Sequence, residues 1–243
     1  MPPGGITALD FLQYNKNNLY GDLPMTMSAV LFDAGDILYT RPRRARVYTD
    51  FFTSRGLPNL DMKTPELKRL KLDSHEGLIS EDAYYEEVMR RGGITQQNDF
   101  DAGKKAFREA MLDFDFTDGI VEVLHALKKD GLKLGIVTNT YNSTKEKMTW
   151  FKTIGIDTIW DSFATSCEIK AIKPSPEIYL AALEPFNGNP RETIFVAHAQ
   201  KEIDGAKALG MTTVVFNRDD ETVQGDYVLD KFTELPSLVK SLC

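Results

Sequence analysis

The spacing of hydrophobic positions changes twice along this chain. Near the start, Ala29-Val30-Leu31-Phe32 form a continuous apolar run that stops at Asp33, and a turn with Gly35 and Asp36 follows. A short apolar run closed by such a turn predicts a buried strand at residues 28–33. From Arg41 to Thr117 the period becomes helical. "RARVYTDFFTSRGL", "TPELKRLKLDS", "SEDAYYEEVMRRGG" and "AGKKAFREAMLDF" each place apolar residues three and four apart. Thr64 before Pro65-Glu66 and Ser80 before Glu81-Asp82-Ala83 read as helix starts. No strand signal interrupts this block.

After Asp118-Gly119 strands and helices alternate. "IVEVLHALKKDG" is an amphipathic helix ended by Gly131, and "KLGIVTN" a buried strand over 133–137. "STKEKMTWFKTIG" is a helix, followed by a short strand near Ser162 to Ala164. "SPEIYLAALEPF" and "KEIDGAKALG" read as helices, "TIFVAH" and "TTVVFNR" as strands. This alternation predicts an α/β fold: a doubly wound parallel sheet with an all-helical block inserted after its first strand. The expected organisation is an N-terminal extension over 1–27, an α/β core of 28–40 and 118–243, and a helical cap over 41–117. The extension, with "NKNNLYGDLP", reads as irregular and docked in part through Phe11, Leu12, Tyr14 and Tyr20.

Composition narrows the classes. The 243 residues suffice for a core domain with an insert. A net charge of −7 argues against nucleic acid as partner. Two cysteines, Cys167 and Cys243, make neither a disulfide framework nor a cysteine-rich metal site, so a reducing compartment is expected. No apolar run approaches the roughly 20 residues that span a bilayer. No basic stretch followed by an apolar one opens the chain. The expectation is a cytoplasmic monomer or homodimer whose partner is a small-molecule substrate, with no membrane role.

The chemistry gathers at strand ends, where open parallel sheets bind ligands. One strand ends at Asp33, another at Thr138-Asn139, a third at Ala197-His198, and "KAIKPSPEIY" places Lys173 ahead of two prolines. An aspartate after a strand is also a common helix cap. Here, however, "FDAGDIL", "GIVTNT", "KPSPEIYLAAL" and "FVAHAQKEIDGAKALGM" resemble, in order, the four motifs of the haloacid dehalogenase-like (HAD) superfamily. The resemblance runs from residue 28 to about 220, and the helical block stands where that family has its C1 cap. It implies that Asp33 is a nucleophile forming a covalent aspartyl intermediate. It implies that Thr138, beside Asn139, hydrogen-bonds the substrate oxyanion, and that Lys173 rather than Lys170 holds the nucleophile and the developing charge.

Two departures from the family pattern stand out. Where its phosphatases carry a second aspartate two residues after the nucleophile, this chain has Gly35, with Asp36 one step further; both are candidate substrate-binding positions. Where they place a metal-binding aspartate after the later strand, this chain has Ala197-His198, with Glu202 as the remaining acidic position. Asp33 and Glu202 are thus a weak metal set, Mg²⁺ stays open as a cofactor, and none is certain. The branch of 2-haloacid dehalogenases, which needs no metal, also lacks that aspartate. Its tyrosine after the nucleophile is Gly35 here, the asparagine of its fourth motif is Ala199, and its halide-binding arginine could be Arg41, Arg43, Arg44 or Arg46. His198 suits proton transfer, with a titration expected near 6 to 7 unless burial or a carboxylate moves it. His75 and His125 read as structural or exposed. The leading expectation is a HAD-like hydrolase acting through Asp33 on a small organic substrate, with its need for a metal left open. The alternatives are a Mg²⁺-dependent small-molecule phosphatase, a repurposed acid–base enzyme (cyclase, isomerase or dehydratase), and a non-catalytic ligand-binding protein.

Overall fold

The computed structural model describes residues 26–243. The expected docking of the N-terminal extension through Phe11, Leu12, Tyr14 and Tyr20 lies outside them. Six parallel strands form the main sheet: β1 (Ala29–Phe32), β4 (Lys133–Thr138), β5 (Ser162–Thr165), β6 (Thr193–Ala197), β7 (Thr212–Phe216) and β8 (Tyr227–Leu229). Their spatial order is β5-β4-β1-β6-β7-β8. The chain leaves β1 for one side of the sheet and later returns to the other, so the order reverses between β1 and β6. Such a reversal opens a crevice at the carboxyl ends of the strands.

The apolar runs explain themselves in this sheet. All four residues of β1 are fully buried. Alternation sends Val30 and Phe32 into a cluster with Leu134, Ile136, Ile194 and Val196. Leu31 goes to the opposite face with Val137, Phe195 and Val215. Burial on both faces is why these strands read as continuous hydrophobic runs. Gly135 is required by packing: a Cβ there would collide with the Ser162 hydroxyl and with Leu31.

Four helices lie between β1 and the rest of the sheet: Arg44–Thr53, Pro65–His75, Glu81–Arg91 and Gln97–Leu112. Thr64 Oγ1 accepts from Leu67 N with Pro65 in the first turn, and Ser80 Oγ accepts from Ala83 N. The block has its own core of Tyr48, Phe52, Tyr84, Tyr85, Val88, Met89 and Phe107. In it the Tyr48 and Phe107 rings stack at 4.1 Å. Aromatic pairs of this kind contribute about 0.5–1.5 kcal/mol beyond area burial.

One expectation fails here. The block at 41–117 was to contain no strand, yet β2 (Tyr39–Thr40) pairs antiparallel with β3 (Asp115–Phe116), tying its two ends together. Two residues are too few to display a period, so this pair had no pattern to read. Arg43 braces it through Asp113 and Asp115, an exposed network of small energetic weight. The helical block also touches the sheet's carboxyl edge. Tyr141, after β4, packs on the helical core with its hydroxyl 2.9 Å from that of Tyr85. Ser166 Oγ donates to the His75 carbonyl and Lys170 Nζ to that of Gly77. Among the described residues no helix is long and apolar enough to cross a membrane.

Candidate active site

Register places the chemistry. Phe32 pairs with Ile136 on one side and Val196 on the other. Asp33, Thr138 and His198 therefore emerge within one residue step of each other at the ends of three adjacent strands. Asp33 N still donates to Val196 O at 2.9 Å, so the carboxylate is carried on ladder-fixed backbone. The chain then turns: Asp36 takes φ 60° and donates its N–H to Tyr39 O. Asp and Asn tolerate this left-handed conformation better than most side chains.

Lys173 is the first partner of Asp33. Its Nζ lies 2.6 Å from Asp33 Oδ1 and 2.9 Å from Glu202 Oε2, and its side chain is fully buried. Asn139 fixes the lysine's backbone: Asn139 Oδ1 accepts from Lys173 N at 2.8 Å and Asn139 Nδ2 donates to Lys173 O at 3.3 Å. Asn139 thus positions Lys173. Lys170, the competing lysine, points elsewhere, to Gly77.

His198 is the second partner. Its Nε2 lies 3.2 Å from Asp33 Oδ2 and its Nδ1 2.7 Å from Asp219 Oδ1. A ring held between two carboxylates carries a proton on both nitrogens. Burial alone would lower its pKa. The hydrogen bond and charge of Asp33, with Asp219 behind, overcome that and raise it to about 9. The direction left open by the sequence is therefore upward, away from 6 to 7. At neutral pH the residue is an imidazolium, because its hydrogen bonds stabilise the charged form more than burial disfavours it.

The other titrations follow from these contacts. Burial pushes Asp33 up, but the Lys173 charge and the His198 hydrogen bond hold it well below the ordinary carboxylate range. Glu202 is raised to about 7 by burial and by the Asp33 charge, with Lys173 opposing. Lys173 loses to burial but gains more from Asp33 and Glu202, so it stays charged.

Mg²⁺ does not fit this donor set. Asp33, His198 and Glu202 place ligand atoms within 4.8 Å of one another. Yet Asp33 Oδ1 and Glu202 Oε2 are both engaged by Lys173, and Asp33 Oδ2 faces His198 Nε2. Mg²⁺ demands oxygen ligands in near-octahedral geometry. Here a nitrogen stands in place of a carboxylate, and two ammonium or imidazolium groups already neutralise the charge.

These residues open into a cleft of about 470 Å³ between sheet edge and helical block. The size suits a small molecule. Gly35, Asp36, Arg41, Thr138 and Asn139 all line it, as do Asp33, His198 and Glu202. A Cβ on Gly35 would meet nothing within 4 Å, so the position where the family's second aspartate belongs is open space. Of the four candidate arginines, Arg41 and Arg44 reach the cleft. Arg43 and Arg46 are paired with surface carboxylates.

Several lining residues had no sequence signal. Tyr39, Lys71, Tyr141 and Lys147 sit in segments read only as helix or turn. His75, read as structural or exposed, is in the cleft wall beside the Tyr141 ring. Burial and the nearby Lys71 and Arg44 charges lower it to about 3, so it is neutral. His125 is exposed on the helix Ile120–Lys129.

A family profile described as haloacid dehalogenase-like hydrolase matches residues 57–216. The pyrophosphatase PpaX of Bacillus mycoides is 33% identical over 122 residues, 48% of this chain and 56% of that protein. The chain thus spans about half the length of the curated relatives it matches. A HAD phosphatase from Thermococcus onnurineus superposes with a TM-score of 0.61 at 23% identity, over 88% of this chain and 98% of that one. An L-2-haloacid dehalogenase superposes with a TM-score of 0.65 at 20% identity, over 88% and 99%. At such identities the likeness to the solved structures is one of fold.

Proposed function

This chain belongs to the haloacid dehalogenase-like hydrolase family, and from that premise we propose that it hydrolyses a small anionic substrate through a covalent Asp33 intermediate, with His198 as its resident cation and general acid. The observation that carries the reading is the placement of His198 Nε2 at 3.2 Å from Asp33 Oδ2 while Asp219 holds Nδ1. We read the helical block at 41–117 as the cap that closes the cleft from water.

The steps balance as follows. Asp33 carboxylate attacks the electrophilic centre of the substrate and the bond to the leaving oxygen breaks. Imidazolium His198 gives that oxygen its Nε2 proton and becomes neutral, still oriented by Asp219. Lys173, buried behind Asp33, and Thr138, which lines the cleft, stabilise the negative charge that develops. A water then enters; neutral His198 takes its proton, the resulting hydroxide attacks the aspartyl adduct, and Asp33 carboxylate and imidazolium return. In this scheme His198 supplies the proton transfers that a side chain at Gly35 would supply in the phosphatases.

Phosphate esters and anhydrides are the first substrates to test, because the curated relatives are named pyrophosphatases. The second reading, for the same substrates, is a Mg²⁺-dependent phosphatase. The two separate on a panel of small phosphate esters assayed with Mg²⁺ and with chelator. The proposed reading expects turnover that chelator leaves intact. Turnover that appears only with Mg²⁺ supports the second reading instead.

A further inference from the structure

Among the cations that line the cleft, Arg41 and Lys147 share one aromatic wall and have no carboxylate partner among the described residues. Lys147, 3% exposed, donates from Nζ to Tyr39 Oη at 2.7 Å. Arg41 spends Nε on the Met111 carbonyl at 2.9 Å, while its Nη2 is buried without a hydrogen bond. Both charges lie over the same two rings. Arg41 is 4.5 Å from the Tyr39 ring centre and 5.1 Å from that of Trp150; Lys147 is 5.5 and 4.8 Å away.

Cation–π contact offsets part of the desolvation cost, but two like charges sharing one aromatic wall repel each other. Buried charges are normally paired. Beside Asp33 the rule is obeyed: Lys173 has Asp33 and Glu202, and His198 has Asp33 and Asp219. Arg41 and Lys147 depart from it, as does Arg44, which among the described residues meets only the Tyr48 and Tyr141 hydroxyls. Arg41 and Lys147 both line the cleft, and neither pairs with Asp33, so the charge they lack is one the ligand can bring.

We propose that Arg41 and Lys147 form a second anion subsite, which holds a carboxylate or phosphoryl group of the substrate separate from the centre attacked by Asp33. The inference rests on the hydrolase reading for the word substrate, but the anion site itself does not. Tyr39 positions Lys147 through its hydroxyl, and Arg41 presents a guanidinium whose planar fork suits a compact oxyanion. Burial and the Arg41 charge also push the Lys147 ammonium below its ordinary pKa, with Tyr39 opposing, and a bound anion would reverse that shift.

The test is isothermal titration of malonate and of inorganic phosphate into the full-length protein at low ionic strength. Wild type, Lys147→Met, Tyr39→Phe and Asp33→Asn are compared, with folding followed by circular dichroism. Wild type should bind one of the two anions saturably, one per chain, and which one binds separates carboxylate from phosphoryl recognition. Lys147→Met should weaken that affinity about tenfold or more, the effect of losing a charged hydrogen-bond donor. Tyr39→Phe, which leaves the lysine in place, should weaken it less and serves if Lys147→Met does not fold. Asp33→Asn should bind the anion yet lose turnover. An Asp33→Asn protein that binds the anion and still turns over would sink the nucleophile reading and leave the subsite standing. Failure of wild type to bind either anion, or unchanged binding in both Lys147→Met and Tyr39→Phe, overturns the subsite.

Discussion

His198 touches Asp33 across the point where the strand order of the sheet reverses: Nε2 to Oδ2 is 3.2 Å, with Asp219 2.7 Å behind the ring. A carboxylate–imidazole–carboxylate row makes the ring a cation. With Lys173 on the other oxygen, Asp33 is flanked by two positive groups and remains ionised.

Asp33→Asn should lower turnover at least ~10³-fold while thermal unfolding stays cooperative, since the covalent route is lost. A verified, undeamidated variant with near-normal turnover would refute the assignment.

The pH dependence has a defined sign. Asp33 is ionised and His198 protonated across the neutral range, where Glu202 titrates near 7, and kcat/KM should fall as pH passes about 9. Stability follows the same group. A pKa raised from 6.5 to about 9 gives a contribution fully present below 6.5 and lost as pH rises through 9. The Tm difference between wild type and His198→Asn should therefore shrink between those values. Asp219→Asn should move the alkaline limb of kcat/KM to lower pH. A limb unmoved by that change would show that Asp219 does not tune the ring.

Much of this arrangement was legible before the fold was known. The apolar run ending at Asp33, and the later runs ending at Thr138 and His198, fixed both the strands and what they deliver, because burial on two faces leaves little else to read. The order of four motifs placed Lys173 beside Asp33. Beyond the β2–β3 pair and the cleft lining, three more things were hidden, each for a physical reason. Asp219 acts on His198 from a loop 21 residues on, and loop contacts have no period. Strand β8 (Tyr227–Leu229) is largely exposed, and its three apolar residues are too short a run to show a period. Lys147 lies on a helix, Thr144–Lys152, whose sequence suggests a solvated lysine; only the tertiary fold buries it against Tyr39.

Gly35→Asp should be tolerated. No atom lies within 4 Å of the Cβ position and no positive φ forbids a side chain. Its effect on unfolding free energy should stay within about 0.5 kcal/mol, because the new side chain enters open cleft space and displaces no packed atom. Denaturant melts of the two proteins measure it, and a loss of several kcal/mol would mean the position is not open.

The helical block depends on its aromatic centre. Phe107 is fully buried and packs on Tyr48, Phe51 and Tyr85. Phe107→Ala should cost about 3–5 kcal/mol in chemical denaturation. A cost under about 1 kcal/mol, the scale of a volume-conserving swap, would mean this cluster is not the block's core.

The central claim is that His198 stands beside Asp33 as an imidazolium, and NMR titration of the histidine rings tests it without a substrate. The chain has three histidines, so His198→Asn identifies its signal by disappearance. The account predicts a His198 ring that stays protonated through neutral pH and titrates near 9, shifting down in Asp219→Asn, while His75 stays neutral down to about 3. A His198 that titrates at its ordinary 6.5 in the wild-type protein would contradict the account.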